Sequence, residues 1–267
     1  MIINFLNKIK AERISPEDFS RAHFFYQQQK VYSFCQKRVK NKVVLEVGSG
    51  SGYGTYNLSK FAKKIIAIDK DSASVEESKK RYRSKNIVFI ASPIETYKTD
   101  QKFDIIIALQ VIEHFLEVHS FFKKILFLLK KNGLVVISTP NGLTQSYNEN
   151  PYHYKEFSPN ELRNLLSGYF KKVNLYGLNG DDVINKYEQI RRKQVLSILN
   201  KDPLRIRRLI PRTIRQYTFD IISFSRKKMT RVKTNNYLSS FSENNFIISQ
   251  TELNKSIDLI AICKQAK

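Results

Sequence analysis

Cysteine is nearly absent from this 267-residue chain: Cys35 and Cys263 are the only two, and they lie far apart. Neither fits a metal-binding or redox spacing, which argues against a disulfide framework or a zinc module and reads as a reduced, intracellular protein. Each is expected to be a small buried hydrophobe. Long apolar runs are missing too. No stretch reaches about 18 continuous apolar residues, and the amino-terminal MIINFLNKIKAER carries no run long enough for a signal peptide. Neither a spanning segment nor secretion by the usual route is expected, and the cytoplasm is the expected location. Acids are scarce, 24 Asp and Glu against 46 Lys and Arg, for a net charge of +22. Charge of that size attracts a polyanion, whether nucleic acid, an anionic membrane face or a phosphorylated substrate, and does not choose among them.

What is present is material for a core. Hydrophobic residues make up 42% of the chain, so it is not disordered by composition, and its length suits one large domain or a domain with a substantial insertion. Glycine is sparse, yet Gly48, Gly50 and Gly52 fall on alternate positions in VVLEVGSGSGYG, Val43 to Gly54. A β-branched apolar run ending in the acid Glu46 and breaking into glycines describes a buried strand entering a tight turn before a helix at Tyr53 to Phe61. Glycine lets backbone approach a ligand there, and a helix start offers amide groups to an anionic one. A second strand, Lys64 to Ile68, ends in Asp69, about twenty residues past the glycines. That is where a doubly wound fold places the acid that binds a ribose diol, so a nucleoside-type cofactor is expected. Position 53 is Tyr, so the spacing is not that of dinucleotide folds.

Strand and helix then alternate. A helix at Asp71 to Arg83, strands at Ile87 to Ile90 and Phe103 to Leu109, a helix at Val118 to Leu129 and a strand at Leu134 to Ser138 imply a parallel sheet buried on both faces. Before them, Ser15-Pro16-Glu17-Asp18 starts a helix expected to run to about Val39. After them comes a polar, aromatic loop, TQSYNENPYHYKEF, and then Ser158-Pro159-Asn160-Glu161, a capping-box start. Tyr169 to Gly177 reads as a strand and Ser256 to Cys263 as the last one. About eighty residues separate these two strands, where a hairpin would suffice. Between Lys186 and Lys233 the chain holds 15 Lys and Arg against three acids, a net +12 in under a fifth of its length. Ile206, Leu209 and Ile210, then Ile214, Tyr217, Ile221 and Phe224, fall at helical spacing, with Arg205, Arg207, Arg208, Arg212 and Arg215 around them. The expected organisation is a leading helical segment at 1–40, a cofactor-binding core at 41–180, a basic helical insertion at 181–250 and a returning strand at 251–267.

EVGSGSG followed by AID, FDIIIALQVIEHF at Phe103 to Phe115 and LKKNGLVVISTPN at Leu129 to Asn141 together resemble the class I S-adenosylmethionine-dependent methyltransferases. The resemblance runs in register from about Val43 to Gly177. It implies an α/β, Rossmann-like fold with a seven-stranded sheet closed by an antiparallel pair, S-adenosylmethionine as cofactor and a leading helix packed over its pocket, within reach of His23 and Tyr26. On the same basis Glu46, Gly48, Ser49, Gly50 and Gly52 would hold the methionine portion, and Asp69, with Lys70 beside it, the ribose. Ser92, Pro93 and Ile94 would flank the adenine, and Gln110 would reach the sulfonium region. Ser49 stands where a Cys is common, and Ser92 near where an acid often contacts adenine.

The tail of the fourth strand bears on the acceptor. Methyltransferases that act on exocyclic amines of bases resemble one another in an Asn or Asp, then Pro-Pro and an aromatic, at this place; here the residues are LQVIEH. Enzymes that methylate pyrimidine carbon use a Cys nucleophile, and neither Cys35 nor Cys263 lies near the site in sequence, so an oxygen acceptor is favoured. A hydroxyl must lose its proton as the methyl arrives, and histidine suits that task near neutral pH. His114, after Glu113, and His153, in the polar loop, are the candidates, and the sequence leaves open which of them, if either, is the base. Glu156 is placed to orient one of them, and His119 is expected to face solvent. No metal is expected.

TPN, then N-P-x-H-x-x-E-F-S-P-x-E-L, then an insertion carrying R-R-L-I-P-R resembles bacterial methyltransferases of surface-polysaccharide and lipopolysaccharide assembly. That resemblance implies O-methylation of a sugar hydroxyl on a nucleotide- or lipid-linked glycan, with residues 186–233 meeting phosphates or the inner membrane face. Quinone or lipid O-methylation is the alternative. An RNA-binding methyltransferase or a non-catalytic module would use the charge differently, but the amine-methylation motif is missing and no RNA-binding module is recognisable.

Overall fold

The computed structural model describes residues 22–145, 150–200, 209–220 and 241–267. Four apolar strands build the centre: β1 (Val43–Val47), β2 (Lys64–Asp69), β4 (Phe103–Leu109) and β5 (Leu129–Pro140), with β3 (Ile87–Ala91) outside β2. β1 pairs in parallel with both β2 and β4, β2 with β3, and β4 with β5. The chain reverses direction in the sheet at β8 (Asp258–Ala266), antiparallel to both β5 and β6 (Phe170–Gly180). The order is β3-β2-β1-β4-β5-β8-β6-β7. Strand order switches direction beside β1, and in such sheets the crevice at the carboxyl ends there takes ligands.

The sheet has eight strands rather than the seven expected. The addition is β7 (Phe246–Ser249), the returning end of the stretch between β6 and β8, which pairs with Gly177 to Gly180. Its residues, Phe-Ile-Ile-Ser, suit a pleated edge: Phe246 is buried and Ile247 exposed. The pairing also carries β6 three residues past its expected end.

Alternation along the strands divides the core in two. Leu45, Val47, Ile66, Ile68, Ile106 and Ile137 face one side, against α4 (Val118–Leu128) and α5 (Pro159–Ser167). Val44, Ile65, Ala67, Ile105 and Val136 face the other, against α1 (Ala22–Val39), α2 (Tyr53–Ser59) and α3 (Ser72–Arg81). Cys35 and Cys263 belong to opposite faces and are buried, which pushes both thiols up to about 12. They are core hydrophobes, as expected.

α5 starts as read: the Ser158 hydroxyl accepts from the Glu161 amide, and the Glu161 carboxylate accepts from the Ser158 amide. Those donors, with Lys155, pull Glu161 down to about 2. Between β6 and β7 lie α6 (Asp182–Leu199) and a helix, α7, over 212–220. Leu209, Ile210, Ile214 and Tyr217 are exposed, at 83%, 39%, 50% and 51%. Ile206, Ile221, Phe224, Arg205, Arg207, Arg208 and the helix start at Ser15 lie outside the described residues. No helix among the described residues is long and apolar enough to cross a membrane.

Candidate active site

The glycine turn after β1 is left-handed at Gly48 (φ 75°), Gly50 (φ 54°) and Gly52 (φ 75°), which only glycine adopts without strain. The reasons differ at each. A Cβ on Gly48 would come within 2.6 Å of Val111, and one on Gly52 within 2.6 Å of Ser78, whereas one on Gly50 would meet nothing within 4 Å. Gly50 therefore lines open space. The Ser49 hydroxyl beside it is buried with no hydrogen-bond partner among the described residues. The turn's own amides are largely committed within the chain: Gly48 and Ser49 donate to the Ile68 carbonyl, Gly52 to that of Ser49, and Gly50 to Asp69 Oδ2 at 2.8 Å. Asp71 donates to Asp69 Oδ1 at 2.8 Å. What the turn presents to a ligand is close backbone and the Asp69 carboxylate rather than a row of open amides.

Glu46 lies beneath the turn, 1% exposed, accepting from Tyr32 Oη at 2.7 Å and Thr55 Oγ1 at 2.6 Å. Burial raises its carboxyl to about 7; the two hydrogen bonds pull it down and the Asp69 charge pushes it up. α1 covers this corner as expected. The Tyr32 ring lies on Gly54, where a Cβ would sit 1.9 Å from it, and Tyr53 donates to Gln28 at 2.6 Å. His23 is buried among the rings of Phe24, Tyr187 and Phe241, a packing position. Tyr26 packs on Phe25.

Across the sheet, Ser92 donates its amide to the Asp69 carbonyl and turns its hydroxyl to the Pro93 carbonyl, with Ile94 buried beneath. Ser92, Pro93 and Ile94 thus border the Asp69 end of the crevice, and Lys70 is exposed beside it. The open side of the turn at Gly50, the Ser49 hydroxyl and the Asp69 carboxylate together suit a ligand with an amino acid end and a ribose diol.

Gln110 ends β4 in the left-handed region, φ 55°. Its amide binds the Ser138 carbonyl at 2.9 Å, and its side chain is turned to Ser138 and Asp258. Asp258 was not singled out in the sequence. It opens β8 opposite Pro140, 2% exposed, and accepts from Gln27 of α1 at 2.6 Å. Burial raises it to about 7 against the pull of those two amides. The sequence signal was an acid at the cleft end of an otherwise apolar strand, SIDLIAIC.

The structure brings Glu113, His114 and His153 together. Glu113, fully buried in a 3₁₀ turn at Ile112–His114, accepts from Thr139 Oγ1 at 3.1 Å. His114 Nδ1 lies 3.1 Å from the Tyr152 carbonyl, an acceptor, so Nδ1 carries the proton and Nε2 is the basic nitrogen. His153 pairs Nδ1 with Glu156 Oε1 at 2.9 Å and accepts from Asn150 at Nε2, 3.0 Å away. Glu156 is thus the orienting partner of His153. The two imidazoles meet edge to face, 5.0 Å between centroids. One donor atom from each of Glu113, His114 and His153 lies within 4.8 Å of the others, a two-imidazole, one-carboxylate set compatible with a shared divalent cation. His119 is exposed, as expected, and touches the Tyr169 hydroxyl.

Residues 38–174, half of the chain, match the family model described as a methyltransferase domain. The chain is 32% identical over 162 residues to a probable S-adenosylmethionine-dependent methyltransferase of Mycobacterium tuberculosis, covering 59% of each. It is 25% identical over 185 residues to a ubiquinone biosynthesis O-methyltransferase of Rickettsia bellii, covering 58% of this chain and 77% of that one. The match spans about three fifths of the length of the mycobacterial relative. Among solved structures, an S-adenosylmethionine-dependent methyltransferase of Thermotoga maritima aligns over 91% of this chain and 90% of its own with a TM-score of 0.58 at 14% identity. The N-methyltransferase NodS of Bradyrhizobium japonicum, bound to S-adenosylhomocysteine, aligns over 66% of this chain and 90% of its own with a TM-score of 0.54 at 16% identity. At such identities these likenesses speak for the fold. With the glycine turn, the acid ending β2 and the matched family model in agreement, the chain belongs to the class I S-adenosylmethionine-dependent methyltransferases.

Proposed function

We propose that this protein transfers a methyl group from S-adenosylmethionine to a hydroxyl, and that the hydroxyl belongs to a sugar of a nucleotide- or lipid-linked glycan. The observation that carries the oxygen acceptor is the imidazole pair at the mouth of β4, in place of the Asn/Asp-Pro-Pro-aromatic pattern for a flat amine. When bound, the cofactor supplies a methyl on a sulfonium, open to in-line attack. Glu46 and the glycine turn hold its methionine portion, Asp69 its ribose, and Ser92 to Ile94 flank its adenine. Gln110, fixed by Ser138 and Asp258, borders the reacting region.

His114 takes the acceptor's proton through Nε2, since the Tyr152 carbonyl holds the proton on Nδ1; a placed base of this kind is worth roughly 10²- to 10⁴-fold. His153, engaged at both nitrogens, forms the wall beside it. The loop carrying His153 covers the acceptor and excludes water. Residues 186–233 meet phosphates or an anionic membrane face through their excess of positive charge.

A quinol acceptor is the second reading, favoured by the likeness to ubiquinone biosynthesis O-methyltransferases. The test is product analysis by mass spectrometry after incubation with S-adenosylmethionine and, separately, nucleotide sugars, lipid-linked sugars and a catechol. A methyl ether on a sugar is the expected product. Turnover of the catechol alone, or methylation of an amine, overturns the glycan reading.

A further inference from the structure

α7 lies against the loop that carries His153. Arg212 donates through Nε to the Pro151 carbonyl at 2.7 Å and stacks its guanidinium on the Tyr154 ring, 3.3 Å from the centroid. Gln216 reaches the same carbonyl at 3.3 Å, and Tyr152 donates to Asp220 at 2.5 Å. Tyr152 is also the residue whose carbonyl orients His114. One short loop therefore ties the basic helix to the imidazole pair.

Two polar atoms in this contact are left over. Arg212 Nη2 and Arg215 Nε are buried without a hydrogen-bond partner among the described residues. A buried charged donor left unpaired is costly, so native proteins pair such groups with protein, water or a ligand. Arg212 and Arg215 are three residues apart on one helix and so project from the same side. The anchors at Pro151 and Tyr154 fix the Arg212 fork in place, and a preorganised fork is what phosphate recognition uses.

We propose that Arg212 and Arg215 form an anion subsite for a phosphate or pyrophosphate group carried by the acceptor, placing its hydroxyl under His114. Two guanidiniums match the two or more negative charges of such a group. The inference rests on the acceptor reading above and adds the residues that select within it. It assigns specificity to α7 rather than to the cofactor core.

The test is calorimetric titration of the full chain, saturated with S-adenosylhomocysteine, with inorganic pyrophosphate. Saturable binding is expected, weakened roughly 10- to 100-fold in Arg212→Gln and in Arg215→Gln, the worth of a charge-assisted hydrogen bond. Lys171→Gln and Lys172→Gln remove equal charge at exposed positions of β6, outside the basic stretch, and are expected to change it less than about twofold. No binding by the wild-type chain overturns the subsite without recourse to any variant, and so does equal loss across all four substitutions. Uridine diphosphate and sedimentation with phosphatidylglycerol vesicles distinguish a soluble from a lipid-borne phosphate. Dependence of either on the two arginines supports the subsite, and dependence of neither overturns it. Methylation of an acceptor stripped of its phosphate reads the O-methylation proposal by itself: turnover there with no pyrophosphate binding removes the subsite and leaves the reaction standing.

Discussion

Gln27, on the helix that precedes the sheet, donates a 2.6 Å hydrogen bond to Asp258, the first residue of the strand that ends it. The bond joins the two ends of the described chain at the floor of the crevice, and Gln110 meets the same carboxyl from the end of β4.

This buried carboxyl makes stability depend on pH. Asp258 rises from an ordinary 3.8 to about 7, chiefly through burial. Between those values the folded state binds more protons than the unfolded one, so stability falls as pH rises through that window and levels off above about 7. A shift of about three units corresponds to roughly 4 kcal/mol. Asp258→Asn keeps an acceptor for Gln27 and removes the titration. Urea unfolding of the cofactor-free protein at pH 5.5 and pH 8 is expected to show the variant gaining on the wild type by about 2 kcal/mol at the higher pH, the part of the window above pH 5.5. Parallel dependence in the two proteins would refute the assignment.

Glu46 behaves likewise in the free protein, rising to about 7 by burial. A cofactor ammonium placed against it favours the ionised form, so binding of S-adenosylhomocysteine near pH 6.5 is expected to release a fraction of a proton. Calorimetry in buffers of different ionisation enthalpy measures that release, which Glu46→Gln is expected to abolish.

Gly54 and Gly50 separate packing from ligand approach. Gly54→Ala drives a methyl into the Tyr32 ring and is expected to cost roughly 1–3 kcal/mol by overpacking. Gly50→Ala meets no atom and bears only the left-handed backbone cost, about 1–2 kcal/mol. The signature is in cofactor affinity: weakened at least about tenfold by Gly50→Ala relative to its loss in stability, because the new methyl fills the open side of the turn. Chemical unfolding and titration with S-adenosylhomocysteine, run on both variants, check the pair.

Much of the fold was legible because its signals are local. β4 was read with its observed limits, and the capping box at Ser158 and Glu161 is a four-residue pattern. The glycine turn could be read because each left-handed position needs a residue without Cβ. β7 was missed because four apolar residues at the end of a polar stretch carry little periodicity, and they become a strand only by finding the free edge of β6. Asp258 was missed for a different reason. A single acid beginning a strand gains meaning from Gln27 and Gln110, neither of them near it in sequence. Likewise, both histidines could be named from the sequence, but their 5.0 Å ring separation is a product of the loop folding back over β4.

That proximity allows the two imidazoles to be told apart. His114 has its proton fixed on Nδ1 by a backbone carbonyl, which no side-chain substitution removes, leaving Nε2 basic. His153 has Asn150 on its Nε2 and Glu156 on its Nδ1. His114→Ala is therefore expected to lower kcat by roughly 10²-fold or more while leaving affinity for S-adenosylhomocysteine within about twofold. His153→Ala is expected to act mainly on KM for the acceptor, since it removes a wall and leaves the base. The pH profile adds a check: with His114 as base, kcat/KM rises with pH along a limb that His114→Ala flattens. A limb that survives in His114→Ala and vanishes in His153→Ala would exchange the two roles.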